Sequence, residues 1–422
     1  MHQATTNAVG PFDERLDAWF AGDSDAIASS HLLWRDLREA APIYVYGSMT
    51  VVSPYDMVKD IVYDDEHLSN DHSRRGSRAD AAFARLTTDE QREAFRRVMQ
   101  FESHFMNRND GDEHRRLRGA AAAAMTPRRI QQVMSAIDEH ADASLALLPD
   151  EPVVDFKLFS TELPLRIICD LIGVPEEDRS KIRDWATALS GNRHGTDPDA
   201  LVPAYHAWLE FRAYVEVLVE RYRGSVEGSD QLVTLLMAAH GADRLTPDEV
   251  VSLFVMMLQG GHETTSNLLS IGLYELLQVP DQWPALVDDP SLIPNAVEEM
   301  LRVVSPAQTA SRRCVAPVEI GGVEIEPEDT VLALLGAANR DPSMFPDPDR
   351  FDVRRPEAKR HIALGFGPHF CLGASLARAE TTIALRKLTE RFPKLQLATT
   401  DVRFQGPWQL RRLVELPLET GL

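Results

Sequence analysis

The sequence predicts a mainly α-helical chain with a minor β component. Segments with apolar residues at helical spacing recur along nearly its whole length. Period-two alternation is confined to short stretches, at residues 43–52 and 318–325. No internal repeat, low-complexity block or dividing linker interrupts the series.

In order, residues 1–24 read as a partly irregular N-terminal extension and residues 25–422 as one domain. Residues 25–40 read as a helix, and residues 43–52 as a strand pair turning at Gly47. Residues 56–64 are helical, 72–78 form a polar, basic loop, and 88–99 and 112–125 are helical again. Thr126-Pro127 starts another helix, with Thr as cap and Pro in the first position. Further helices are expected near 163–172, 182–189, 202–223 and 231–239. Thr246-Pro247-Asp248-Glu249 is a capping box that opens the apolar stretch 250–277. A helix at 295–304 and a hairpin around Gly321-Gly322 follow. Residues 339–351 are irregular and proline-rich, 371–392 form a helix, and 395–417 are mixed with strand-like ends.

The chain has 422 residues, and length alone would suggest two or three domains. Its formal net charge of -21 argues against wholesale binding to nucleic acid or an anionic membrane. Three cysteines in so long a chain argue against a disulfide framework and for a reducing cytoplasm. Residues 1–25 lack the charged and apolar blocks of a secretion signal or anchor. The stretch 250–277 is broken at its centre by Gln259-Gly260-Gly261-His262-Glu263-Thr264-Thr265, so it reads as a buried helix and not a membrane span.

The most specific signal is Leu364-Gly365-Phe366-Gly367-Pro368-His369-Phe370-Cys371-Leu372-Gly373. Its glycines allow tight turns and close approach to a flat ligand. A cysteine at a helix start lies near free amide N–H groups, which favour the thiolate, a good metal ligand. An isolated cysteine would otherwise be an inert small hydrophobe. This run resembles the haem-ligating loop of the cytochrome P450 family. Gly365, Gly367, His369, Cys371 and Gly373 match the family's pattern, while Leu364 stands where the family usually has Phe. The resemblance implies one triangular, helix-rich domain, haem b (iron protoporphyrin IX) as cofactor, and Cys371 as the ligand of its iron.

In Gly260-Gly261-His262-Glu263-Thr264-Thr265, two helical glycines cost about 1 kcal/mol each relative to alanine. Glycines also kink helices, and taken alone the segment is as well explained by a kink with a solvated polar face. It resembles the family's oxygen-activation motif, which implies that Glu263 and Thr264 deliver protons and that Gly261 lies against the haem. His262 reads as structural. Glu299 and Arg302, three apart on one helix face, resemble the family's buried Glu–Arg–Arg network, which the resemblance completes with Arg350. Matching positions for haem propionates are His114 and Arg118, four apart on one helix, then Arg312 (with Arg313 as its rival) and His369.

The chain has no Walker loop, no GxGxxG and no cysteine cluster for iron–sulfur binding. Electrons are therefore expected from a separate ferredoxin or flavodoxin served by an NAD(P)H reductase. Arg115, Arg116, Arg128, Arg129, Lys359 and Arg360 are candidates for a local basic patch that docks it, though solvated helix faces explain them equally well. Substrate contacts are expected from residues 79–106, 202–222, Met256, Gln259 and 307–310. These are mostly apolar with a few amides, which fits a small to large apolar organic molecule. The implied activity is a monooxygenase that uses dioxygen for hydroxylation or epoxidation, with natural-product tailoring as the context. The rivals are peroxide-driven oxidation or oxidative coupling on the same fold, and a non-catalytic haem sensor or carrier.

Overall fold

The computed structural model describes residues 10–71, 77–122, 125–191, 198–222 and 245–421. Of the loop expected at 72–78, residues 72–76 lie outside these residues, and Ser77 and Arg78 belong instead to a helix described below; the helix expected at 231–239 also lies outside them.

Helix α1 (Asp13–Phe20) buries Leu16 and Trp19. Trp19 packs edge-on to Trp34 at 4.6 Å and against Trp408 at 5.0 Å. The helix expected at 25–40 is two, α2 (Ser24–Ala28) and α3 (Ser30–Ala40). They part at Ser29, whose hydroxyl donates back to the Asp25 carbonyl at 2.6 Å. This i−4 side-chain bond competes with the helical ladder.

β1 (Ile43–Tyr46) and β2 (Met49–Val52) form the expected hairpin, with Gly47 at φ +60°. Next come α4 (Tyr55–Tyr63), β3 (Leu68–Ser69), α5 (Ser77–Ala84) and α6 (Asp89–Glu102), the last opened by a Thr88–Gln91 capping box. α7 (Gly111–Ala122), α8 (Pro127–Leu145) and β4 (Val153–Asp155) lead to α9 (Lys157–Ile172). α9 starts well before the expected 163 and carries Pro164 inside it. Burial of Phe159, Leu163, Leu165 and Ile168 offsets the ladder bond that proline cannot donate.

α10 (Arg179–Gly191) and α11 (Pro198–Tyr222) precede α12 (Pro247–Leu277), 31 residues of uninterrupted helix. Its capping box forms as expected: Glu249 N–H donates to Thr246 Oγ1 at 3.3 Å, and Thr246 N–H to Glu249 Oε2 at 2.7 Å. α12 packs on α9, on α14 (Ile293–Val304) beyond the short α13 (Gln282–Asp288), and on α16 (Ala374–Arg391).

β5 (Ala310–Cys314), the hairpin β6 (Val318–Ile320) and β7 (Val323–Ile325), β8 (Thr330–Ala333) and the single turn α15 (Leu335–Ala338) lie between α14 and α16. The main sheet has the order β1-β2-β8-β5-β3. In it β2 runs parallel to β8 with Met49 opposite Thr330, and β5 runs antiparallel to β8 with Ala310 opposite Ala333. After α16, β10 (Phe404–Gln405) and β11 (Arg412–Leu413) make a third hairpin, while β9 (Gln396–Leu397) and β12 (Pro417–Glu419) make a small sheet with β4. No helix among the described residues is long and apolar enough to cross a membrane.

Candidate active site

Gly365 and Gly367 shape the cysteine loop, at φ +74° and +71°. L side chains rarely hold such values. At Gly367 a Cβ would also meet the Tyr63 ring at 2.6 Å. A 3₁₀ turn (Gly367–His369) follows, and the Cys371 N–H closes the loop on the Leu364 carbonyl at 2.8 Å. The Leu364 side chain packs on the main core. All three cysteines are free, and Cys371 is the one that is not fully buried.

α16 begins at Ala374 with Gly373 as its N-cap, so the cysteine lies three residues ahead of the helix and not in its first turn. Burial pushes the Cys371 thiol up, and the Gly373 N–H, Arg118 and Arg378 pull it back without overcoming that. The helix start therefore does not make the thiolate here; coordination to a metal deprotonates a thiol outright.

Two carboxylates anchor the loop. Glu298 on α14 receives Arg378 Nε at 2.6 Å and Nη2 at 2.9 Å, and faces His361 Nε2 at 3.1 Å. Burial alone would raise the Glu298 carboxyl; these partners outweigh burial and hold it at about 2. Glu299 receives Arg302 Nε at 2.7 Å and Nη2 at 2.8 Å, with both side chains fully buried. The third member of this network is Arg355, not Arg350. Arg355 Nε reaches Glu299 Oε1 at 3.0 Å, and its Nη2 donates to the carbonyls of Asp347 and Arg350. Arg350 is exposed and contributes only its carbonyl, which Arg302 also reaches at 3.3 Å. Asp347, at φ +47°, lies in the same irregular segment as Arg350 and Arg355.

The structure brings His114, His369 and Arg118 together. The two imidazoles stack at 4.0 Å with an interplanar angle of 28°. Arg118, half-buried on α7, donates Nη2 to the Phe370 carbonyl at 2.7 Å. His114 is buried, and its Nε2 has no partner among the described residues. Burial, then His369 and Arg118, push its pKa down to about 4. Arg312 points inward from β5 at 3% exposure, with Nε unpartnered among the described residues, whereas Arg313 pairs with Glu328 at 2.6 Å. Burial lowers Arg312 to about 10, and Asp110 and Asp64 oppose that.

Asp110, which the sequence reading missed, sits among these groups. It accepts from Ser69, Asn70 and His369. An acid just before a helix looks like an ordinary solvated cap; the convergence of His114 and His369 was the available signal. Phe366 is not brought to this cluster: it is exposed, and its ring meets Tyr63 at 5.9 Å and Lys59 Nζ at 4.5 Å. The unpartnered nitrogens of His114 and Arg312 fit the acidic edge of a haem.

On α12 the two glycines do different work. A Cβ on Gly261 would meet Ile168 Cδ1 of α9 at 2.8 Å, while one on Gly260 would meet nothing within 4 Å. The helix does not break there. Thr264 donates to the Gly260 carbonyl at 2.5 Å. Glu263 is buried and faces Arg412 of β11 at 3.6 Å. Lys157 lies nearby, donating to Ser266 at 3.4 Å; burial and then Arg412 push its pKa down to about 8, against Asp155 and Glu263. His262 is driven down to about 4 by burial and bonds to the Thr161 backbone, as a structural residue would.

A pocket between α6, α10, α11 and α12 is lined by Val98, Phe101, Phe105, Trp208, Val255 and Gln259 among others. It also carries Glu102, which meets Arg108 at 3.5 Å, a charged pair in a lining that is otherwise apolar but for Gln259. The basic patch is weaker than the sequence suggests. Arg115 is paired with Asp112, and Arg116 with both Glu113 and Glu249. Lys359 and Arg360 are exposed, and the side chains of Arg128 and Arg129 lie outside the described residues.

Comparison with known proteins agrees with this geometry. The family model described as Cytochrome P450 matches residues 203–412. The chain is 35% identical over 404 residues to 6-deoxyerythronolide B hydroxylase of Saccharopolyspora erythraea, covering 92% of this chain and 96% of that protein. It is 40% identical to cytochrome P450 monooxygenase PikC of Streptomyces venezuelae over 75% of this chain and 76% of that one. Among solved structures, P450BioI in complex with an acyl carrier protein ligated to hexadec-9Z-enoic acid superposes with a TM-score of 0.83 at 31% identity, covering 94% of this chain and 99% of that one. The chain thus belongs to the cytochrome P450 family and is a haem-thiolate monooxygenase of the bacterial type.

Proposed function

We propose that Cys371 would hold the iron of a haem b through its sulfur. The single observation that carries this reading is the Gly365–Gly367 loop, which presents the one incompletely buried free cysteine. With haem bound, His114, Arg118, Arg312 and His369 would hold its two propionates, Gly365 and Gly373 would keep the loop backbone close to the ring, and Phe366 would shield the loop from outside; Gly261, expected against the haem, packs on Ile168 of α9 instead. When bound, the haem iron supplies the dioxygen activation that places one oxygen atom in the substrate.

The chain's own residues manage protons and water. Thr264, facing the open side of α12 beside Gly260, holds a hydrogen bond where dioxygen would enter. Glu263 passes protons inward from the Arg412–Lys157 side, where the helix meets solvent-reachable charge. The residues lining the small pocket, aromatic with Gln259 as an amide among them, support a medium or large apolar organic substrate oriented by a few polar contacts. The likeness to a 6-deoxyerythronolide B hydroxylase supports a tailoring role. Electrons come from a separate ferredoxin or flavodoxin with its NAD(P)H reductase, and the enzyme works in the cytoplasm, a reading supported by its three free cysteines.

The test is an absorption spectrum of the reduced protein under carbon monoxide. A strongly red-shifted Soret band supports thiolate ligation by Cys371 and should be lost in Cys371→His. A band typical of neutral ligation in the unmutated protein overturns the assignment.

A further inference from the structure

We propose that Asp110 is a positioning residue for the acidic edge of the haem, aligning His369 and, through the stacked ring, His114. This rests on the placement of haem given above. Each oxygen of the Asp110 carboxylate takes two hydrogen bonds. Oδ2 accepts from Ser69 Oγ at 2.7 Å and from the Asn70 N–H at 3.0 Å. Oδ1 accepts from Asn70 Nδ2 at 2.9 Å and faces His369 Nε2 at 3.1 Å.

A carboxylate held this way can only accept, so His369 must turn an N–H toward it, which fixes the ring. The fixed ring is the surface on which His114 stacks at 4.0 Å. Asp110 also carries the start of α7, since the His114 N–H donates to the Asp110 carbonyl at 3.2 Å. One residue thereby joins three separate segments: the end of β3, the helix bearing His114 and Arg118, and the cysteine loop. It does so beside His114 Nε2 and Arg312 Nε, two buried nitrogens that have no partner among the described residues. Its hydrogen bonds hold Asp110 ionised, well below the usual carboxylate range despite burial, so it stays an acceptor at working pH.

A residue that merely ties loops and a residue that acts through His369 differ in a double-mutant cycle. Holoprotein is prepared as the parent, Asp110→Asn, His369→Gln and the double variant. Haem transfer to a scavenging apoglobin gives the off-rate, and resonance Raman of the propionate bending band reports propionate contacts directly. Asp110→Asn is expected to speed haem loss about tenfold, the scale of one hydrogen bond to a charged group, and to shift the band. The double variant should be no faster than the faster single variant. Multiplying off-rates, or an Asp110→Asn protein identical to the parent in both readouts, would overturn the assignment. Ser69→Ala removes a loop tie but leaves the His369 contact, so it should keep the parent's band; a shift as large as that of Asp110→Asn would equally overturn it. The carbon monoxide spectrum of the parent separates the two levels. Without the red-shifted band both readings fall, and with it a silent Asp110→Asn removes this one alone.

Discussion

Arg355 and Arg302 divide a single carboxylate between them: Glu299 meets Arg355 Nε through Oε1 at 3.0 Å, while Arg302 grips both oxygens at 2.7 and 2.8 Å. The guanidinium groups spend their remaining N–H groups on backbone carbonyls of the segment 339–350, so side chains and loop are ordered together. Removing Arg355 leaves Glu299 held by Arg302 but withdraws its N–H donors from the carbonyls of Asp347 and Arg350. Arg355→Ala is expected to lose about 1–3 kcal/mol of unfolding free energy. Arg350→Ala should change it by less than about 0.5 kcal/mol, because that side chain is exposed. Urea unfolding of both variants checks the pair, and equal losses would contradict the assignment of Arg355.

The glycine pair on α12 should respond asymmetrically. Gly261→Ala pushes a methyl into Ile168, a stiff, fully buried side chain on α9, and is expected to destabilise by about 1–3 kcal/mol. Gly260→Ala meets no atom and gains about 1 kcal/mol of helix propensity. Thermal unfolding should therefore move in opposite directions for the two variants.

Proton handling gives a third expectation. Glu263→Gln keeps the shape of a buried side chain but cannot give up a proton. Turnover with a surrogate ferredoxin system should fall about 100-fold while substrate-induced spectral binding is unchanged, the lower end of general acid–base contributions. Thr264→Ala should instead divert reducing equivalents to hydrogen peroxide, read as a higher ratio of peroxide formed to NAD(P)H consumed. A variant with parental turnover and coupling would remove either residue from the proton path.

Glu380 on α16 makes stability depend on pH. It is buried, Oε2 has no partner among the described residues, and burial raises its pKa well above the ordinary 4.5. Above pH 4.5 the unfolded chain releases this proton while the folded chain keeps it. The folded state then binds more protons, so the contribution of Glu380 to stability falls as pH rises toward its folded pKa. Glu380→Gln abolishes that slope. Its melting temperature should gain on the parent between pH 5 and pH 8, and parallel melting curves across that range would refute the neutral acid.

Local chemistry made some of this legible from sequence. The Thr246–Glu249 capping box, the Gly47 and Gly321-Gly322 turns and the glycines around Cys371 each determine structure within a few residues. Arg355 was hidden for the opposite reason. Arg350 and Arg355 stand in one irregular segment, and no periodicity announces which of them turns inward. The start of α9 was missed because Pro164 looks like a helix boundary, and only the burial of that face carries the helix through it. Asp110 and Arg412 reach their partners across 259 and about 150 positions of sequence, beyond any spacing argument.

Trp19 and Trp408 touch across almost the full length of the chain, and Ser24 donates to the Phe404 carbonyl beside them at 2.7 Å. Trp19 thus leaves the ribosome well ahead of Trp408, the partner it meets in the fold. At about 5–20 residues per second it waits roughly 20–80 s with its indole uncovered. Through that interval α1 has no complete seat, and the hairpin that closes over it is the one that brings Arg412 to Glu263. Seating of α1 and the arrival of Arg412 at Glu263 are therefore joined events, both waiting on the same hairpin.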